Sequence, residues 1–392
     1  MTSEDARKLV SSLPGLTSLH LEHIVFPAGE GLGVAKILAQ APTLTSLTID
    51  WCRQCYPDEG APGVNNLHNY VTDEVLEILV ELSALTHLDI SSSYEVTDDG
   101  IISLGNLSTL THLDISESGE ESVTDDAMRA LGRLPALTHL DVSRNEDITD
   151  VGFRALGSHP ALTFLAASDV NDLTDDGLTT LCGLSALTHL QMSGAGLDNL
   201  TSDGIIKSLR NLSALTYLNI SGLNVSNDGI KTLVGSWPAL THLDISGCCS
   251  LSLMIDEGMI RALMGSLPAL THLDISDAIV TDGGIRALID ALATTHTSIT
   301  NLNILGSVSN DIAALEAIIA AYEQSTTLNS LCGLTQGDTH LNMTTGHHQN
   351  IILTSLHPED TKIIAAELKK GVTTGSLLFL DLSGKPCPIP LP

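Results

Sequence analysis

The sequence predicts a right-handed α/β solenoid, in which short parallel strands form a concave sheet and short helices cover the convex side. The first observation is a segment written LTHLDVS at residues 137–143, which recurs in near-copies along the chain. The second is a helix-start signal, Thr-Asp before an apolar stretch, between successive copies. The third is the regular spacing of the first leucines, at Leu85, Leu110, Leu137, Leu162, Leu187, Leu215, Leu240 and Leu270.

Each copy of the segment predicts a short strand with one buried face. In residues 85–91, Leu88 and Ile90 alternate with His87 and Asp89, so aliphatic side chains point inward and polar ones outward. The intervals of 25 to 30 residues leave room for one helix between strands. Strand, crossover and strand in one sheet imply parallel strands and a right-handed connection.

A threonine followed by aspartate marks the predicted start of each helix. The hydroxyl caps free amide groups, and the carboxylates suit the positive end of the helix. Apolar stretches such as GIISLGNL and GIRALIDAL then predict about two helical turns. The capping threonines are Thr97, Thr124, Thr149, Thr174 and Thr281.

A single domain over residues 1–392 is expected, with regular repeats at about 85–295. Its first strand has Leu16, Leu19 and Leu21 inward, and GVAKILAQ predicts a helix after it. From Leu44 to the next equivalent leucine the spacing is 41 residues, so residues 51–71 are predicted to form a protruding insertion loop.

Residues 299–392 are predicted to form irregular repeats. A strand at 299–304 precedes a helix in DIAALEAIIAAYEQ, after which either Leu328 and Leu331 or Leu341 and Met343 supply the next strand pair. A helix at 357–371 and a strand around residues 377–382 follow.

The net charge of −30 at pH 7 repels nucleic acid and anionic membranes and attracts a basic protein surface. The alternative is that the charge only maintains solubility. The seven cysteines are odd in number and lack framework spacing, which agrees with a reducing compartment. With no secretory start signal or apolar membrane span, a monomeric cytoplasmic protein is expected. An exported effector is the alternative.

The outward positions of neighbouring strands should align into rows and form the partner-binding face. Departures from the repeated histidine and aspartate pattern at Phe164, Gln191 and Tyr217 favour these positions as contacts with a partner. The candidate partner-binding residues are His87, Asp89, His112, Asp114, His139, Asp141, Phe164, His189, Gln191, Tyr217, Asn219, His242, Asp244, His272 and Asp274.

Rows of imidazoles and carboxylates raise the alternatives of a metal site or a pH response. Uniform repetition instead favours a structural role in which each histidine bonds a neighbouring aspartate, so no catalytic, cofactor or metal residue is assigned. Protonation near the reference value of ~6.5 is expected to alter binding or stability. Cys52, Cys55 and His68 lack the second ligand pair of a zinc site.

The LxxLxI segments, followed by an (I/V/L)TDxG helix start, resemble the leucine-rich repeat superfamily over nearly the full length. The TDxG element is similar to the cysteine-containing repeats found behind F-box segments in ubiquitin-ligase receptors and to GALA-type bacterial effectors. Residues 357–384 are similar to ribonuclease-inhibitor repeats. The resemblance implies a leucine-rich repeat solenoid, or horseshoe, that acts as a non-enzymatic protein–protein interaction scaffold.

An effector or substrate receptor that recruits ubiquitin-ligase machinery is the alternative function. Two features depart from the pattern. The repeat asparagine is present at Asn145 but replaced in other units, and no F-box-like helical segment is expected before Leu16.

Overall fold

A computed structural model describes residues 1–331 except 28, 51, 58–64, 119–122, 195–196, 198, 248–253, 294–297, 308–311 and 326, together with 362, 363 and 366. The chain divides into two compact units, Met1–Leu212 and Ser213–Pro392. A single domain over the whole chain stays a prediction.

The first unit contains a parallel sheet whose strands follow one another in chain order. A separate small sheet contains three further strands. The strands of the main sheet are β1 (Ser18–Glu22), β3 (Ser46–Asp50), β6 (His87–Asp89), β7 (His112–Asp114), β8 (His139–Asp141), β9 (Phe164–Ala166) and β10 (His189–Gln191). Those of the small sheet are β2 (Val25–Phe26), β4 (Arg53–Pro57) and β5 (Asn65–Asn69).

A helix lies between successive main-sheet strands, and each helix packs against the next one along the chain. The helices of the first unit are α1 (Ser3–Ser12), α2 (Gly31–Leu38), α3 (Asp73–Leu79), α4 (Asp98–Leu104), α5 (Asp125–Leu131), α6 (Asp150–Leu156), α7 (Asp175–Thr180) and α8 (Ser202–Leu209). A short 3-10 helix at Leu181–Gly183 extends α7.

The second unit repeats the same architecture. Its main parallel strands are β11 (Tyr217–Asn219), β12 (His242–Asp244), β14 (His272–Asp274) and β16 (Asn301–Asn303), and β13 (Met254–Ile255) pairs with β15 (Ile279–Val280) beside them. Its helices are α9 (Asn227–Leu233), α10 (Glu257–Ser266), α11 (Asp282–Ala293) and α12 (Ile312–Gln324), with a 3-10 helix at Val234–Ser236. The predicted α/β solenoid with a parallel sheet is therefore confirmed within each unit.

The core lies between sheet and helices and is built from the aliphatic positions of the repeat. Leu85, Leu88 and Ile90 are at most 2% exposed, and Leu88 pairs in register with Leu113 of the next strand. Burying one such side chain contributes about 1.5–3 kcal/mol. Since each layer covers the next, a unit of the repeat depends on its neighbours for this burial.

The predicted helix caps are confirmed. The Thr97, Thr124 and Thr174 hydroxyls each accept a hydrogen bond from the amide two residues later, at 3.3 Å. Thr149 caps α6 and Thr281 caps α11 in similar ways. These contacts satisfy amides that the first helical turn leaves without a partner.

The aspartate that follows each capping threonine also connects adjacent repeats. Asp98 accepts hydrogen bonds from the amide and hydroxyl of Thr124, at 2.8 and 2.6 Å, and from the amide of Ala127 at 3.2 Å. Asp73, Asp125, Asp150 and Asp175 accept the same pair of bonds from the next capping threonine. The TDxG pattern is therefore an inter-repeat connection as well as a cap.

Helix α1 lies before the first strand, where no helix is predicted. Thr2 and Asp5 form a capping box at its start, and the helix packs on α2. The predicted loop at 51–71 is also partly wrong, because β4 and β5 pair as an antiparallel hairpin and β4 pairs with β2. Residues 51 and 58–64 of the insertion lie outside the described residues.

Of the two strand pairs predicted after α12, the structure contains the first. Ser330 forms a parallel bridge with Asn301, and the flanking Leu328 and Leu331 are buried. Leu341, Met343 and the strand predicted around 377–382 lie outside the described residues. Of the helix predicted at 357–371, only residues 362, 363 and 366 are described, and they are helical.

Candidate partner-binding face

The outward positions of the strands align into two rows in each unit. In the first unit, His87 pairs in register with His112, and His112 with His139. The aspartates two residues later pair in the same way, so an aspartate row runs beside the histidine row. In the second unit, His242 and His272 align, as do Asp244 and Asp274.

Each of six row histidines contacts the hydroxyl of the threonine before it. The Nδ1–Oγ1 distance is 2.7 Å for His87 and Thr86, 2.8 Å for His112 and Thr111, and 2.9 Å for His139 and Thr138. His189, His242 and His272 contact Thr188, Thr241 and Thr271 at 2.8 Å. For His87, His112 and His139 the expectation that each histidine bonds a neighbouring aspartate is therefore wrong, because the partner is the threonine immediately before it.

This geometry assigns the proton of the neutral imidazole. The Thr86 hydroxyl donates its single hydrogen to the carbonyl of Thr45 at 3.0 Å, and Thr111 donates to the carbonyl of Thr86 at 2.9 Å. A hydroxyl that has donated its hydrogen can only accept from the ring, so Nδ1 bears the hydrogen and Nε2 keeps its lone pair. The outer nitrogens of the row are hydrogen-bond acceptors.

The first three imidazoles of the row stack on one another. Ring centroids lie 3.9 Å apart for His87 and His112 and 3.8 Å apart for His112 and His139. Burial, and then the neighbouring His139 and His87, lower the pKa of His112 to about 4. Burial also lowers the pKa of His87, His139 and His189. These side chains therefore stay neutral in milder acid in the folded chain, and an effect of protonation on binding or stability stays a prediction.

The aspartates of the row bond to serines that end the same strands. Asp114 Oδ1 accepts from the amide and hydroxyl of Ser116 at 2.9 and 2.7 Å, and Asp141 Oδ1 accepts from the Ser143 amide at 2.9 Å. Oδ2 of Asp89, Asp114 and Asp141 has no hydrogen-bond partner within the part of the chain that the structure describes.

Crowding of these carboxyls makes ionisation costly. Burial raises the pKa of Asp89 and, with the Asp141 and Asp89 carboxylates, raises the pKa of Asp114 well above its usual value. Burial raises the pKa of Asp141, which is 6% exposed, to about 6. In the second unit, burial and then Asp274 raise the pKa of Asp244 to about 6. Charge repulsion and desolvation both favour the protonated form.

The histidine row is interrupted at Phe164, whose ring lies 5.5 Å from that of His139. The strand of Phe164 ends in the buried Ala166, which pairs in register with Gln191. Phe164 and Gln191 thus lie on adjacent strands of the first unit, half-buried on its outward face. Tyr217 and Asn219 begin the rows of the second unit. Their role as partner contacts stays a prediction.

A left-handed residue follows the strands, and the sequence analysis missed it. Ser92, Glu117, Arg144 and Asp169 have φ between 54° and 61°, and each lies seven residues after the first leucine of its repeat. The Glu117 and Arg144 amides donate to the carbonyls of Ser143 and Ser168, at 2.9 and 2.8 Å. Glycine would have signalled this turn, but it occupies the equivalent position only in later repeats, as in Gly194 and Gly222.

Arg144 lies between two carboxylates at this turn. Its guanidinium is 3.6 Å from Glu117 and 3.7 Å from Asp169. Within the described residues of β6–β10 and the turns that follow them, Arg144 is the one lysine or arginine. The sheet face is therefore acidic, and its single cation is already paired.

Of Cys52, Cys55 and His68, which suggested metal or thiol chemistry, only the Cys52 side chain lies among the described ones. Cys52 is buried, and its thiol contacts the Leu21 carbonyl at 3.4 Å. Burial raises the pKa of Cys52 to about 11, which keeps the thiol protonated. Within the described residues, no three His, Cys, Asp or Glu side chains converge as metal ligands. No helix in the described ranges is long and apolar enough to cross a membrane.

Comparison with known proteins agrees with this architecture. The leucine-rich repeat family model matches residues 134–157, which include β8 and α6. An internalin from Listeria monocytogenes is similar in structure, with a TM-score of 0.50, 18% identity and coverage of 84% of this chain and 80% of that chain. A chain from the yeast Rad7–Elc1 complex has a TM-score of 0.55, 18% identity and coverage of 84% and 83%.

The chain has a leucine-rich repeat fold. No curated protein matches its sequence significantly. The leucine-rich repeat asparagine position is Asn145, whose Nδ2 donates to the carbonyls of Ile115 and Val142 at 2.9 and 3.1 Å. Ser118 occupies the same position one repeat earlier, and its hydroxyl donates to the Ile115 carbonyl at 2.6 Å. Ser118 thus makes the bond to the carbonyl three residues earlier that Asn145 makes in the next repeat.

Proposed function

We propose that the chain is a non-enzymatic interaction scaffold that binds a basic protein partner on the outward face of its parallel sheet. The observation that supports this most is the segregation of charge in the first unit. Cations such as Arg129, Arg154 and Lys207 lie in the last turns of helices. The sheet face instead contains carboxylates with one paired arginine, so it attracts positive charge.

The face also has contacts that are not charged. Phe164 and Gln191 are half-buried and lie where the histidine and aspartate rows are interrupted. An aromatic ring beside polar groups is typical of the centre of an interface, where aromatic side chains contribute most to affinity. A partner would therefore place apolar groups here and basic groups over the carboxylates.

Other partner classes fit this face poorly. A net charge of −30 repels nucleic acid and anionic membranes, and it also opposes self-association, which supports a monomer. Cys52 and Cys182 are unpaired thiols, which supports a cytoplasmic location. An exported effector would encounter the same reducing conditions inside a recipient cell.

The test compares two variants of the full chain that each add one positive charge. Gln191→Arg changes the sheet face, whereas Ser108→Arg changes an exposed turn beyond α4. A partner isolated with the wild type and then purified should bind Ser108→Arg with unchanged affinity and Gln191→Arg at least tenfold more weakly. Equal binding by both variants would place the interface elsewhere and refute the proposal.

A receptor or effector that recruits ubiquitin-ligase machinery is the second candidate. It is supported by the TDxG repeats and by the similar fold of a chain in the Rad7–Elc1 complex. Ligase subunits that co-purify with the full chain would favour this role. A partner set without them would leave only the general scaffold.

A further inference from the structure

The row of His87, His112, His139, Asp89, Asp114 and Asp141 presents hydrogen-bond acceptors and, once its carboxyls are ionised, no donor. The threonine contacts place the imidazole hydrogen on Nδ1, so Nε2 is an acceptor in all three rings. The serine contacts occupy Oδ1 of the aspartates, whereas Oδ2 accepts no hydrogen bond from the described residues. These residues have no further hydrogen-bond partner inside the described ranges.

The histidines and the aspartates of this site lie close enough together for a single side chain to contact both. Histidine and aspartate are two residues apart on one strand, so their positions are separated by about 6.6 Å. Neighbouring strands repeat this pair every ~4.8 Å. Parallel rows do not converge on one point, which disfavours a metal ion. They fit a flat group that donates hydrogen bonds in opposite directions.

We infer that this row is a recognition site for arginine side chains from an extended segment of the protein partner. A guanidinium has five N–H donors in one plane and can donate to the imidazole row on one edge and to the carboxyl row on the other. A lysine ammonium is compact and cannot reach both rows with the same geometry. This inference rests on the proposed function and adds the chemistry of the partner.

Stacking keeps the three imidazoles neutral, so their Nε2 atoms remain hydrogen-bond acceptors. Rings 3.8 and 3.9 Å apart oppose protonation of one another, so the imidazoles remain neutral at neutral pH. Arg144, in the turn after β8, pairs with Glu117 and Asp169 and not with the row. In the second unit the equivalent row is shorter, and Asp274 Oδ2 already accepts from Asn303 at 2.8 Å. The first unit is thus the better site.

The experiment measures calorimetric binding of two peptides, acetylated and amidated alternating Gly-Arg and Gly-Lys repeats of equal length, to the full chain at neutral pH. The arginine peptide should bind at least about fivefold more tightly than the lysine peptide. His112→Phe keeps the net charge and the ring but removes one acceptor, and it should weaken arginine-peptide binding about tenfold. Phe164 shows that phenylalanine is accommodated in this row.

Asp114→Asn and Asp99→Asn form the matched charge control. Each substitution removes one ionisable carboxyl group, but Asp99 is exposed in the first turn of α4 and lies outside the row. Asp114→Asn should weaken binding about tenfold, whereas Asp99→Asn should change affinity less than twofold. If His112→Phe does not fold, His87→Phe at the exposed end of the stack replaces it.

Three outcomes would overturn the inference: no binding of the arginine peptide, equal affinity for both peptides, or equal effects of Asp114→Asn and Asp99→Asn. The last two would indicate general attraction to a negative protein. If binding of the purified partner is still lost in Gln191→Arg but is unchanged in His112→Phe, the proposed function stands and the arginine site alone fails.

Discussion

At the scale of the residue, burial and hydrogen bonding decide how the outward side chains behave. Asp141 belongs to the outward row, yet it is only 6% exposed because neighbouring strands cover it. His112 is bonded through Nδ1 to a threonine and is flanked by two other rings. Residues that look solvent-exposed in the repeat pattern therefore titrate as partly buried groups.

Asp141→Asn should raise the melting temperature at neutral pH. The pKa of Asp141 is raised to about 6 from 3.8, so the folded chain favours the neutral form, and its ionisation above about pH 6 opposes folding. Asparagine keeps an oxygen for the Ser143 amide without the charge. The gain should shrink as pH falls from 6 toward 3.8, measured by thermal unfolding. A gain that does not depend on pH would contradict this reasoning.

His112→Phe should make the protein less sensitive to acid. The pKa of His112 is lowered from 6.5 to about 4, so its favourable contribution is present above pH 6.5 and is lost as pH falls toward 4. Between pH 6.5 and 4, His112 binds a proton in the unfolded chain but stays neutral in the folded chain. Melting temperatures across this range should fall less for the variant than for the wild type. Parallel curves would show that the stack does not cause the acid sensitivity.

At the scale of the element, the helix starts connect one repeat to the next. Asp98 lies in the first turn of α4, but its carboxylate bonds to the cap of α5. The glycine two residues later lies close to the preceding connection of the same kind, because a Cβ at Gly100 would lie within 3.0 Å of the Asp73 side chain. Ala127 at the equivalent position shows that a small side chain is tolerated.

Asp98→Ala should destabilise the chain by about 2 kcal/mol, because it leaves two amides and a hydroxyl of the next helix start without their acceptor. Asp99→Ala removes the same charge from the same turn, and a change within about 0.5 kcal/mol is expected. Urea unfolding of both variants measures the difference. Equal losses would mean that helix-end electrostatics, and not the inter-repeat bonds, account for the effect.

At the scale of the whole molecule, stability comes from stacking within each unit, since no repeat encloses its own core. Leu140 is fully buried between helices and strands and pairs in register with Leu113 and Leu165. Damage to one such position should therefore spread to adjacent repeats. The same stacking leaves a broad sheet face, which is the basis of the proposed interaction role.

Leu140→Asp should destabilise the first unit by more than about 4 kcal/mol, because a carboxylate would be buried without a partner. Hydrogen exchange should show lost protection in β7 and β9 as well as in β8. Asp141→Ala, one residue away, should leave exchange in these strands nearly unchanged. Loss confined to β8 would show that the repeats are independent.

Most of the architecture was predictable from the repeat. Strand alternation, the caps at Thr97 and Thr124 and the α/β class follow from local periodicity, which does not depend on distant contacts. Helix α1 was missed because its capping box at Thr2 lies outside the repeating pattern. The hairpin of β4 and β5 was missed because an insertion with many turn residues has no strand periodicity.

The sequence by itself determined which residues of each repeat face inward and which outward, because a two-residue alternation within a strand admits only that choice. Only the tertiary structure decided what the outward residues do. Their spacing across strands is set by sheet register, and this brings His112 within stacking distance of His139. The hydroxyl that contacts His112 donates its hydrogen to the neighbouring repeat, which leaves it to accept from the ring. Proton positions, carboxyl burial and the left-handed turns depend on contacts with the neighbouring repeat, which one repeat's sequence does not contain.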